Sequence, residues 1–216
     1  MNNLTKRIIT SLILISILIT GLLYHKNIWL FLVILTTIIS YFELTNLTKK
    51  IWKKNNIKLY LINLIGLCYF SFFAYAAYDL GQLSASILFV LSICIFSDIG
   101  GYAVGKIIGG KKLTRISPNK TISGSIGSFV FSLSPLILIW IFYYDRINLS
   151  LIKLFILTII LSFICQVGDL FISFMKRKAN VKDTGTTLPG HGGFLDRIDG
   201  ILFVVPVAFI INKIFY

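Results

Sequence analysis

The sequence predicts an all-α polytopic membrane protein with about seven transmembrane helices, in a range of six to eight, and three observations carry that reading. Of 216 residues, 56% are apolar and only 13% charged, with a mean hydropathy of +0.87, which is more apolar surface than a water-soluble domain can hide. Apolar stretches of about twenty residues recur, each long enough at about 1.5 Å per residue to cross a hydrocarbon core of about 30 Å. Basic residues gather in alternate intervals between these stretches. Helices are the expected spans because they satisfy their own backbone groups in lipid.

The expected spans are 4–24, 28–47, 59–78, 83–108, 122–144, 149–174 and 194–214. Lys6 and Arg7 precede the first, but no small-residue cleavage site follows before Tyr24 and His25, so it is expected to stay as an anchor. The fourth span carries Asp98 toward one end, followed by Gly101, Gly105 and Gly109 at spacing four. That small-residue stripe suits a close helix crossing better than direct ligand contact. Near the end of the sixth span, Asp169, Ser173, Lys176 and Arg177 stand at offsets of zero, four, seven and eight, on one helical face. Asp196 and Asp199, three apart, open the seventh. With no linker, low-complexity tail or internal repeat, the chain reads as one domain, with amino-terminal helices over 1–80 and a motif-bearing core over 83–216.

Charge placement sets the expected orientation. Of 21 Lys and Arg residues, Lys26, Arg146, Lys153 and Lys213 fall on one side and the other 17 on the opposite side. Lys and Arg are retained in short cytoplasmic loops, which puts the amino terminus and the three long loops in the cytoplasm. The same partition accounts for the net charge of +13 without nucleic-acid binding. Cys68, Cys94 and Cys165 lie inside apolar spans without Cys-x-x-Cys spacing, and are expected to be packing residues.

The eight acidic residues are more informative. Asp98, Asp169, Asp183, Asp196 and Asp199 fall on the cytoplasmic side, Glu43 within the second span, and Asp79 and Asp145 at outer turns. Carboxylates beside apolar spans are costly, and several at one depth suggest a cation site, although each also balances nearby positive charge. An acid, a hydroxyl and two cations on the Asp169 face suit a metal-bound phosphate. Between the last two spans, Lys182 and Asp183 lead into Gly185, Pro189, Gly190, His191, Gly192 and Gly193, then Asp196, Arg197 and Asp199. A glycine-dense turn brings backbone donors close to phosphate oxygens. His191, between that turn and the acids, is expected in the active site as base, donor or brace.

The stretch from Ser173 to Asp199, SFMKRKANVKDTGTTLPGHGGFLDRID, resembles the signature of the phosphatidate cytidylyltransferases, the CDP-diacylglycerol synthases. Its fixed positions are Ser173, Lys176, Arg177, Lys182, Asp183, Gly185, Pro189, His191, Gly192, Gly193, Asp196, Arg197 and Asp199. Gln166 to Leu170, and the run from Asp98 through Ser117-Pro118-Asn119-Lys120-Thr121, extend the likeness over the carboxyl-terminal part. The family usually continues that run with Trp-Glu-Gly, where this chain has Ile122-Ser123-Gly124. The amino-terminal part is expected to be shorter than in many members.

The resemblance implies transfer of CMP from CTP to phosphatidate, giving CDP-diacylglycerol and pyrophosphate in phospholipid biosynthesis. It implies Mg²⁺ held by Asp169 and Asp196, with Asp98 and Asp199 as nearby supports and a second cation left open. Lys176, Arg177, Lys182 and Arg197 are the implied phosphate grips, Ser173 and His191 the hydrogen-bonding partners, and Lys120, Asp183, Gly192 and Gly193 further substrate contacts. A bacterial inner membrane and a homodimer are also expected. Two other functional classes predict different patterns. A transporter predicts ionisable residues at mid-membrane rather than at one face, and a CDP-alcohol phosphotransferase would carry Asp-Gly-x-x-Ala-Arg, which this sequence lacks.

Overall fold

The computed structural model describes residues 13–22, 26–53, 56–143, 150–188 and 192–215. Among these the chain is helical: α1 (Ile13–Leu22), then α2 (Lys26–Ile51), α3 (Asn56–Gly81), α4 (Ser84–Ile108), α5 (Ile122–Ser132), α6 (Ser134–Tyr143), α7 (Leu151–Lys178) and α8 (Leu195–Phe215). Four of these, α2, α3, α4 and α7, are long and apolar enough to cross a membrane. The rest of the expected first span, from residue 4 to 12, lies outside the described residues, as do Tyr24, His25, Tyr144 and Arg146.

The expected span over 122–144 is divided at Leu133 into α5 and α6. Pro135 is the physical reason: it has no N–H to donate to the preceding turn, and its ring crowds the carbonyl four residues back. Proline is well placed only in a first turn, where α6 carries it. The expected last span is present as α8, but Asp196, Arg197 and Asp199 crowd its opening turns and Pro206 lies inside it.

Two compact units are formed, Met1–Ser86 with Met175–Asp199, and Ile87–Phe174 with Gly200–Tyr216. In the first, α2 and α3 form an antiparallel hairpin. The Trp29 indole donates to the carbonyl of Ala77 (3.1 Å), Tyr41 packs edge-on against Phe70, and the Thr48 hydroxyl donates to the Asn63 side-chain oxygen (2.7 Å). Ascending residue numbers on one helix thus meet descending ones on the other.

In the second unit the small-residue stripe of α4 meets α5. A Cβ on Gly100 would stand 2.5 Å from the carbonyl oxygen of Gly127, and one on Gly101 2.6 Å from Ser128 Oγ. Gly109, the third member of the stripe, does something else: at φ +63° it ends α4 in open space. Ser97 and Ser162 share a hydrogen bond at 3.3 Å in the interior, and Gly200 lies against Cys165. Cys94 and Cys165 are buried as expected of packing residues, whereas Cys68 is exposed.

Gly100→Ala is therefore expected to lower the detergent-solubilised protein's stability by about 1–3 kcal/mol, because the obstacle is backbone that cannot rotate away. A thermal melt matching wild type would show that α4 and α5 separate without cost.

Candidate active site

The helix end that delivers the signature segment is built by a Schellman motif. Asn180 takes the left-handed conformation at φ +54°. The Val181 N–H donates to the carbonyl of Lys176 (3.0 Å) and the Asn180 N–H to that of Arg177 (3.1 Å), the two bonds that close a helix and turn the chain. Lys176 is thereby fixed in the last turns of α7. Its ammonium donates to Asp196 Oδ1 at 2.6 Å, with the two side chains only 16% and 8% exposed. The other oxygen of Asp196 accepts the Thr184 N–H (2.7 Å) and faces the Thr184 hydroxyl (3.0 Å). Asp196 sits in the first turn of α8, where an acid is also favoured by the helix dipole.

The Thr184 hydroxyl oxygen lies between two acids, since Oε2 of Glu43 is 2.7 Å away. Glu43 is buried in α2 at 4% exposure. It also accepts the Thr187 hydroxyl and the N–H groups of Phe194 and Leu195, each at 2.9 Å. Gly192, at φ +82°, pairs with Leu188 and lies beside the Asp183 side chain, and Gly193 is packed on Thr184. Lys182, Asp183, Arg177 and Arg197 are exposed. Pro189, Gly190 and His191 lie outside the described residues.

In the second unit, the α4–α5 connection is a short antiparallel pairing. The Leu113 N–H donates to the carbonyl of Lys120 (2.8 Å) and the Ile122 N–H to that of Lys111 (3.0 Å). A turn over Ser117, Pro118, Asn119 and Lys120 closes on the Lys120 N–H to Ser117 carbonyl bond (3.1 Å), with proline at the turn position its fixed φ suits. Thr121 then caps α5, accepting the Gly124 N–H at 3.0 Å.

This brings Lys120 onto Asp169 Oδ2 as an ion pair, with side-chain exposures of 27% and 28%. Ser173 donates to the other oxygen of Asp169 at 3.5 Å. Asp98 lies on α4. The divergent Ile122-Ser123-Gly124 segment keeps a structural role: Ser123 donates to the Gly109 carbonyl, and Gly124 packs on the backbone of Gly101. Lys112, Leu113, Thr114, Arg115 and Pro118 line a cavity of about 470 Å³ in this connection.

Each unit thus holds a lysine ammonium against an aspartate expected to bind metal. Hard carboxylate oxygens that already seat a cation fit Mg²⁺. Among the described residues, no three His, Cys, Asp or Glu side chains form a group that could hold a metal ion. Sequence reasoning did not single out Thr184 or Thr187, and placed Glu43 outside the site. The available signal was an acid inside an apolar span, which requires a partner.

A sequence model described as the cytidylyltransferase family matches residues 52–215. The chain is 36% identical over 218 residues to a phosphatidate cytidylyltransferase of Rickettsia typhi, spanning 97% of this chain and 92% of that one. It is 40% identical over 154 residues to one of Bacillus subtilis, spanning 70% and 55%, and 45% identical over 122 residues to one of Staphylococcus saprophyticus, spanning 56% and 46%. The match covers about half the length of the Bacillus and Staphylococcus relatives. With most of its length matched, this chain belongs to the cytidylyltransferase family.

Proposed function

We propose that this chain transfers the cytidylyl group of CTP to phosphatidate, giving CDP-diacylglycerol and pyrophosphate. The observation that carries the reading is the Lys176–Asp196–Thr184 cluster, a largely buried ammonium and carboxylate built from the family's signature residues. Relatives from three bacterial genera are named for this activity.

In the reaction, a phosphate oxygen of phosphatidate attacks the α-phosphorus of CTP, the bond to the bridging oxygen breaks, and pyrophosphate leaves with the electron pair. The nucleophile is already anionic, so no strong general base is required, and positioning with charge stabilisation does most of the work. Lys176 and Lys120 serve as point charges for phosphate oxygens, and their carboxylate partners hold them in place beforehand. Arg177, Lys182 and Arg197 add exposed grips, and Ser173 and His191 add hydrogen bonds. Asp183, Gly192 and Gly193 shape the turn against substrate. We assign Asp169 and Asp196 as the carboxylate donors for Mg²⁺, with Asp98 and Asp199 as supports. When bound, the ion would neutralise charge developing on the phosphates.

For topology we propose seven spans, with the amino terminus and the basic loops in the cytoplasm of a bacterial cell and the protein in its inner membrane. The 17-to-4 distribution of basic residues supports this orientation. CTP is cytoplasmic and lipid phosphates lie at the interface, so both substrates reach that face. A transporter reading has no comparable support, because Lys176 and Asp196 belong to the signature segment and Lys120, which pairs with Asp169 near the end of α7, to the α4–α5 connection.

The test is conversion by purified protein in lipid nanodiscs holding phosphatidate, with CTP and Mg²⁺, against an EDTA control. Labelled CDP-diacylglycerol in the organic phase is expected only with metal. Its absence from a correctly folded preparation would overturn the assignment.

A further inference from the structure

We infer that Glu43, from a helix outside the matched residues 52–215, is the positioning residue of the signature turn, a step that rests on the cytidylyl-transfer reading. Its two carboxylate oxygens divide four donors evenly. Oε1 accepts the Thr187 hydroxyl and the Phe194 N–H (2.9 Å); Oε2 accepts the Thr184 hydroxyl (2.7 Å) and the Leu195 N–H (2.9 Å). A carboxylate offers about four lone-pair sites, so none is left for a metal or substrate. Glu43 therefore acts through the turn and is not a catalytic residue.

Two signature glycines serve this seat. A Cβ on Gly185 would stand 2.6 Å from Oε1, and one on Gly193 2.7 Å from Oε2. Only a chain without side chains at those positions can wrap the buried acid so closely. The two N–H groups it accepts belong to the entry of α8, where backbone donors have no intrahelical partner, so Glu43 caps that helix from a span 152 residues away in sequence. Through the shared Thr184 hydroxyl, the restraint reaches Asp196. A turn with its backbone fixed in advance presents Lys182, Asp183 and Asp196 without reorganisation during turnover.

The experiment compares wild type with Glu43→Gln, Glu43→Asp and Thr187→Val in the same nanodiscs, reading CDP-diacylglycerol kinetics and amide hydrogen exchange. In Glu43→Gln one oxygen becomes an NH₂ that meets a backbone N–H. A threonine hydroxyl can reverse its bond, but Phe194 and Leu195 cannot. The expected result is a fall of about 10- to 100-fold in kcat/KM, with faster exchange confined to peptides over 184–188 and 192–195 and unchanged exchange in α3 and α4. Glu43→Asp keeps an acceptor-only head and is expected to recover part of the loss, and Thr187→Val, which removes one donor, to lose less than Glu43→Gln. Kinetics within twofold of wild type in Glu43→Gln, or exchange that accelerates throughout the protein, would overturn the inference. Inactive wild type would overturn the reaction assignment instead, and exchange at the turn in Glu43→Gln would then still decide whether Glu43 holds it.

Discussion

Asp196→Asn is expected to reduce CDP-diacylglycerol formation by about 10²- to 10³-fold and to destabilise the protein as well. An asparagine cannot satisfy this site in either orientation. With its NH₂ toward Lys176 it opposes an ammonium, and with its NH₂ toward Thr184 it opposes a backbone N–H. Removing one member of a buried ion pair costs about 3–5 kcal/mol where the remaining charge stays buried. Lys176 is 16% exposed and recovers part of its hydration, so about 1–3 kcal/mol is expected. Combining Asp196→Asn with Lys176→Met separates the two effects. The double variant has no uncompensated ammonium, so its thermal stability should rise above that of the single variant while activity stays lost. Activity returning with stability would assign the pair a structural role only.

Asp169→Asn is expected to give the opposite balance, a loss of activity of about 10²-fold or more with little change in stability. Its partner Lys120 is 27% exposed and can turn to water. Such a pair contributes about 0.2–1 kcal/mol. A melt indistinguishable from wild type beside a failed assay would place Asp169 in the chemistry. A variant that keeps more than half of wild-type turnover would remove Asp169 from the donors assigned to Mg²⁺.

Which parts of this architecture were legible follows from the range over which the sequence signal acts. The apolar runs of α2, α3, α4 and α7 are local and long, and the structure places helices there. The fixed spacing of Gly101 and Gly105 predicted a close crossing, and α5 supplies it. Asp169 and Ser173 were expected on one helical face, and a hydrogen bond joins them. The break at Leu133 was also a local signal, carried by Pro135, but the hydropathy of the surrounding run concealed it.

Partnerships across the chain were not legible. Lys120 and Asp169, Lys176 and Asp196, and Glu43 with Thr184 and Leu195 are joined by folding, and nothing in the periodicity of either segment names the other. Glu43 illustrates the difficulty. As an acid inside an apolar span it announced the need for a partner, but its partners are two hydroxyls and two backbone N–H groups rather than a charge. Backbone donors have no identity in a sequence, so charge pairing alone could not reveal them.

The most direct measurement follows the label when purified protein receives phosphatidate and CTP carrying ³²P at either the α or the γ position. Cytidylyl transfer predicts that the α label enters the lipid fraction and the γ label appears in pyrophosphate, in equal molar amounts. A γ label in the lipid, or no label in the lipid from either CTP, would contradict it.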